Sequence, residues 1–324
     1  MLKNNFNIPI LLIAWRRPEK TLKIIEKIKE IKASKVYLAC DGFDQNNSKY
    51  LKNILDTRRI LVEKIDWSCK KKYFFSNLNQ GCKYGVSNAI NWFFKNENSG
   101  IILEDDCLPH LDFFSFCEEL LDRYQNDDRI WSITGQNMQK GKIYGEHSYY
   151  FSKYSHCWGW ATWKRCWVKY DAEIKSWPKY KNNKILNELF DNKKEISYWT
   201  KIFDNLYYHS KPDTWDYQWT YTCLINSGLT IIPNKNLIEN IGFDEEATHT
   251  FDDFYNSKIS NFDRLSSGLI PLNHPENIIR YSQADKFTEK ICYSGELPFT
   301  PLGSQLFFKK LINKLKKIIT KILS

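Results

Sequence analysis

The most constraining feature of this sequence is a strand-helix-strand alternation in its first forty residues. Ile8 to Ala14 is a continuous apolar run bounded by polar residues, the pattern of a parallel strand buried on both faces. Pro18 then opens a segment with Leu22, Ile25, Ile28 and Ile31 at three-residue spacing and Lys and Glu between them, which predicts an amphipathic helix. Val36 to Cys40 is a second apolar strand, closed by Asp41-Gly42. The unit is βαβ, and its crossover is right-handed.

The alternation continues with a polar helix near 48–65, a short strand at Tyr73 to Phe75, and a helix from Tyr84 to Lys95 introduced by Asn79-Gln80-Gly81. Gly100 to Leu103 is then a strand running straight into Glu104-Asp105-Asp106. This order predicts an α/β fold with a doubly wound, mostly parallel sheet, which binds ligands outside the carboxyl ends of its strands. Trp15-Arg16-Arg17, Asp41-Gly42 and Glu104-Asp105-Asp106 fall at those ends. After about Tyr149 the texture becomes aromatic: Trp158, Trp160, Trp163, Trp167, Trp177, Trp199, Trp215 and Trp219 are eight of the 12 tryptophans.

Three adjacent carboxylates after a buried strand repel one another unless a cation or a proton offsets them. Mg²⁺ or Mn²⁺ suits such a place, since either takes one or two carboxylates and completes its shell with water and phosphate oxygens.

The ordered set Pro9-Ile10-Leu11 to Arg16-Arg17-Pro18, Cys40-Asp41-Gly42, Asn79-Gln80-Gly81, Ile102 to Asp106 and Cys157-Trp158-Gly159-Trp160-Ala161-Thr162-Trp163 resembles the GT-A-fold glycosyltransferases. The likeness is to the inverting N-acetylglucosaminyltransferase-like group and its bacterial relatives, over about residues 8–250. It implies a GT-A domain over 1–297, with a nucleotide-binding half to about 140 and an acceptor-binding half after it. It also implies roles. Asp106 would ligate the metal that bridges the donor diphosphate, with Glu104 and Asp105 facing the ribose and the transferred sugar. Arg17 would contact the nucleotide, and Asp41 would accept a hydrogen bond from the base, commonly uracil. Asn79, Gly81 and Lys83 resemble a donor-side loop and helix start, with Lys83 near the diphosphate. Trp158, Gly159 and Trp160 would position donor sugar or acceptor, and His249 would complete the metal shell, imidazole favouring Mn²⁺ over Mg²⁺.

Inverting transfer also needs a general base for the acceptor hydroxyl. The family supplies a carboxylate about 100 residues after the metal cluster. Asp216, in Thr214-Trp215-Asp216-Tyr217-Gln218-Trp219, matches at a helix start, with Trp215 and its neighbours available to stack on a sugar. Asp213 is the rival, and either aspartate also suits a helix cap.

Two other classes compete. A sugar-1-phosphate nucleotidyltransferase would carry a Gly-rich loop after the first strand, and Leu12 to Glu19 contains no glycine. A nucleic-acid-binding protein would suit the net charge of +9, but Lys and Arg do not interleave with the tryptophans in a recognisable motif. Six of those charges are lysines of 304–324, a segment without acids, which leaves +3 for residues 1–303.

Those lysines make up the face opposite Phe308, Leu311, Ile312, Leu315, Ile318, Ile319 and Ile322, which recur at helical spacing within the C-terminal segment 298–324. The segment reads as a basic amphipathic helix on an anionic membrane, or as a helix packed on protein. The membrane reading suits a glycan or lipid-linked acceptor. Nine cysteines, an odd number without zinc-knuckle spacing, fit reduced thiols in a cytoplasmic protein, and the basic segment would place it on the inner face of the cytoplasmic membrane.

Overall fold

The computed structural model describes residues 6–44, 48–242 and 267–293; His249 and the basic segment 304–324 lie outside them. Eight strands form the central sheet: β1 (Ile10–Ala14), β2 (Lys35–Cys40), β3 (Lys70–Phe75), β4 (Ser99–Glu104), β6 (Ile130–Thr134), β7 (Tyr149–Ser152), β8 (Trp160–Trp163) and β9 (Leu229–Pro233). Their spatial order is β3-β2-β1-β4-β8-β6-β9-β7. Only β8 and β7 run against the common direction. The fold is therefore α/β with a mostly parallel sheet flanked by helices.

Every residue of β1 is buried, as is every residue of β2 after Lys35. A strand buried on alternate side chains is covered on both faces, which explains the unbroken apolar runs. Helices α1 (Pro18–Glu30), α2 (Leu51–Glu63), α3 (Gly81–Asn96) and α4 (Leu111–Arg123) supply that cover. β3 begins at Lys70, three residues before its apolar part, because it is the sheet edge. Lys70, Lys71 and Lys72 are exposed there and discourage pairing with another chain.

The aromatic second half builds its own core. After the short helices α5 (Lys164–Trp167), α6 (Trp177–Asn182) and α7 (Ile185–Leu189) come α8 (Lys193–His209) and α9 (Asp216–Ile225). Tyr154, Trp177, Trp199, Phe203, Tyr217 and Tyr221 pack beneath these helices. Burial of their rings anchors α9, the helix that begins at Asp216. α10 (Ser282–Thr288) is the last α-helix among the described residues.

His156 is buried before β8, and its Nε2 has no hydrogen-bond partner among the described residues. Burial disfavours the imidazolium and pulls its pKa down to about 4. The unfolded chain, with an ordinary histidine pKa of about 6.5, takes up this proton first, so His156 subtracts stability as pH falls between these values. In denaturant titrations at pH 7 and pH 4, His156→Phe should show a smaller acid loss than wild type, by at most about 3 kcal/mol. Equal losses in the two proteins would contradict this.

Candidate active site

At β1 the winding of the sheet reverses, because β2 lies on one side of it and β4 on the other. The crevice outside the carboxyl ends of β1 and β4 is the switch point of the sheet. Ile13 is in register with Glu104, so the Trp15-Arg16-Arg17 loop and the acidic triplet leave the sheet side by side.

The loop partly neutralises the triplet. Trp15 donates its backbone N–H to Asp105 Oδ2 at 3.1 Å, and Arg17 Nη1 donates to Asp105 Oδ1 at 3.0 Å and Asp106 Oδ2 at 2.7 Å. Burial alone would lower the Arg17 pKa, but Asp105 and Asp106 outweigh it and hold the guanidinium well above its usual value. Arg17, expected at the nucleotide, is thus held by two carboxylates. Burial raises the Asp105 carboxyl against the opposing pull of Arg17.

Glu104 has no such partner. No group among the described residues donates a hydrogen bond to its carboxylate, and burial, Asp106, Asp105 and Asp216 together push its pKa well up. Asp216, the first residue of α9, thus shares the crevice with the triplet. Its Oδ1 accepts from Thr214 Oγ1 and from Tyr217 N at 2.9 Å, whereas Oδ2 has no donor among the described residues. The thiols of buried Cys107 and half-buried Cys157 border the same carboxylates and are pushed up by desolvation and by that negative charge. All nine cysteines are free thiols.

These groups suit a hard divalent cation, since an orphaned carboxylate among like charges lacks only a counter-charge. Among the described residues no three His, Cys, Asp or Glu side chains are grouped to enclose an ion on their own. The backbone beside Asp106 is closely fitted. β5 (Cys107–Pro109) pairs with β10 (Ile238–Asn240), and Ile241 N donates to Asp106 O at 2.8 Å. A Cβ on Gly242 would fall 2.4 Å from Asp106 Oδ2. His249 is seven positions further on, outside the described residues.

On the donor side, Asp41, Asn79 and Lys83 each make internal contacts. The Asp41 carboxylate accepts from Gly42 N at 2.8 Å and from Gln80 N at 2.9 Å. Burial raises its pKa, and those N–H groups hold the rise back. Asn79 Oδ1 accepts from Gly81 N at 2.7 Å, a local turn at the start of α3. Lys83 is buried, and its Nζ pairs with Glu173 Oε1 at 2.6 Å, where Tyr84 Oη also donates. A desolvated ammonium needs such a partner, and Glu173 supplies it.

Two of the aromatic residues expected at a sugar lie in the core. Trp160 and Trp215 are 1% and 2% exposed and stack on each other, with centroids 5.5 Å apart, so neither offers a ring face to a sugar. Gly159 has φ +56°, and a Cβ there would lie 2.3 Å from Ile238 Cδ1; its absence lets β10 approach. Trp158 keeps partial exposure.

Two participants escaped the sequence reading: Arg58 of α2 donates to the carbonyls of Asp41 and Ser76, and Glu173 holds Lys83. Asp213, the rival base of the sequence reading, accepts from the start of α3. Their partners are distant in the chain, so no local spacing signals them.

Neither a protein-family model nor a curated protein matches the sequence. Solved structures with some likeness include HddC from Yersinia pseudotuberculosis, at 12% identity and TM-score 0.32 over 53% of this chain and 86% of that one. A UDP-glucose pyrophosphorylase complexed with UDP-glucose has 10% identity and TM-score 0.37 over 72% and 91%. Mouse xyloside xylosyltransferase 1 has 12% identity and TM-score 0.35 over 83% and 98%. Scores of this size leave the activity to be read from the site itself.

Proposed function

We propose that this chain is a nucleotide-sugar enzyme, and specifically a metal-dependent inverting glycosyltransferase that uses a UDP-sugar. The observation that carries the reading is the Glu104 carboxylate at the switch point, without a hydrogen-bond donor among the described residues and near enough to Asp106 and Asp216 to feel their charge. Asp106 and Glu104 would hold Mn²⁺ or Mg²⁺, with His249 as a further ligand. The ion would offset the negative charge that grows on the departing diphosphate.

Asp216 supplies the other half of the chemistry. Its Oδ2 takes the proton of an acceptor hydroxyl as that oxygen bonds to the anomeric carbon. The bond from that carbon to the diphosphate breaks, and UDP leaves with the electron pair. Arg17 keeps Asp105 and Asp106 oriented. The acceptor is a glycan or a lipid-linked sugar, as in surface polysaccharide synthesis at the inner face of a membrane, with segment 304–324 lying on anionic lipid. No described helix is long and apolar enough to cross a membrane.

A panel of UDP-hexoses and UDP-N-acetylhexosamines incubated with Mn²⁺ tests the reading. UDP release that stops with EDTA and returns with excess Mn²⁺ is the expected result. Turnover indifferent to EDTA would remove the metal, and pyrophosphate release from UTP plus a sugar-1-phosphate would make the chain a nucleotidyltransferase.

A further inference from the structure

We infer that Asp213 is a positioning residue that fixes the proposed base, Asp216, relative to the donor side by clamping the start of α3. The inference rests on the reading of Asp216 as the base. The first N–H groups of a helix lack partners within it. In α3, Cys82 N donates to Asp213 Oδ2 at 2.9 Å and Lys83 N to Asp213 Oδ1 at 3.1 Å, across 131 and 130 positions of sequence. Both oxygens are therefore engaged by backbone. That sets Asp213 apart from Asp216, whose Oδ2 has no donor among the described residues.

Gly81 gives an independent sign of the clamp. Its φ is +75°, and a Cβ on it would stand 2.6 Å from Asp213 Oδ2. Both the backbone conformation and the approach of the carboxylate require glycine here. Gly81, expected at the donor, is thus one side of an internal joint.

The joint connects the two halves of the crevice. On the β2 side Asp41 grips Gln80 N, one residue before α3 begins. On the other side the chain passes from Asp213 to Thr214, whose hydroxyl donates to Asp216 Oδ1, while Trp215 is fixed by its stack on Trp160. Asp216 is thereby set relative to the strand ends through the first turn of α3. A misplacement of about 1 Å at a reacting group costs about 10²-fold in rate, so a joint of this kind acts on kcat without touching substrate.

The test uses the full chain with Asp213→Ala, Asp213→Asn, Gly81→Ala, the Asp213→Ala/Gly81→Ala double variant and Asp216→Asn. The readouts are kcat for UDP release, calorimetric Kd for UDP with Mn²⁺, and amide hydrogen exchange at Cys82 and Lys83. Asp213→Ala should speed exchange at both amides and lower kcat by about 10- to 100-fold with the UDP Kd little changed. Asp213→Asn, which keeps an acceptor oxygen, should recover most of the rate even if the alanine variant is poorly folded. Gly81→Ala should match Asp213→Ala, and the double variant should be no worse than either, because both open one joint. Faster exchange with wild-type kcat would overturn the positioning role, as would a loss of UDP affinity equal to the loss of kcat. Wild-type turnover in Asp216→Asn would instead remove the base, and the positioning role with it, whatever the exchange shows at Cys82 and Lys83.

Discussion

Asp216→Asn should lower kcat for UDP release by about 10³-fold, within the range by which a positioned general base accelerates proton transfer. The substitution is nearly isosteric. Its amide oxygen still accepts from Thr214 Oγ1 and Tyr217 N, the two contacts Asp216 Oδ1 makes, so the start of α9 stays in place. What disappears is the capacity of Oδ2 to accept a proton. Stability should move the other way. Asp216 is one of the charges that raise the Glu104 pKa, and removing it relieves repulsion in the crevice. The variant should therefore melt no lower than wild type, and UDP should bind with Mn²⁺ as before. A dead enzyme with a raised or equal melting temperature separates lost chemistry from unfolding. Undiminished kcat would end the assignment.

The sequence was most legible where burial is simplest. β1, β2 and β4 are covered on both faces, so their apolar runs, and the polar clusters at their ends, read directly as strands and switch-point loops. β3 was half legible, because Lys70, Lys71 and Lys72 at an exposed edge carry no apolar signal. The tryptophans were ambiguous, since a large ring suits a core and a sugar platform equally and local sequence does not say which. The choice is made by tertiary packing, in which Trp160 meets Trp215, Trp167 and Trp219. Asp213 and Asp216 looked alike for a similar reason. Each precedes or starts a helix, and they diverge only through partners more than a hundred residues away. The position of Arg17 at a strand end was legible but its pairing with Asp105 and Asp106 was not, because a guanidinium there satisfies a phosphate or a carboxylate with the same geometry.

Arg17→Met should destabilise the fold by about 3–5 kcal/mol, the usual consequence of removing one member of a buried ion pair. The Arg17 side chain is 10% exposed, and those of Asp105 and Asp106 are 8% and 20% exposed. Without the guanidinium, Asp105 keeps the Trp15 N–H, but the triplet and Asp216 face one another with no cation among them. Arg17→Lys should lose much less. A single nitrogen, Nη1, makes both carboxylate contacts, and an ammonium that reaches the same point replaces it. The response to metal joins this prediction to the proposed chemistry. A ligand that binds only the folded state stabilises it by about 2.7 kcal/mol at a hundred times its Kd. If Mn²⁺ occupies this cluster, the arginine and the ion partly substitute for each other as counter-charge. Mn²⁺ should then raise the melting temperature of Arg17→Met more than that of wild type, and Asp106→Asn should abolish the difference. Equal Mn²⁺ shifts in the two proteins would place the metal elsewhere. An Arg17→Met protein within about 1 kcal/mol of wild type would show that the triplet is neutralised by protons and not by Arg17.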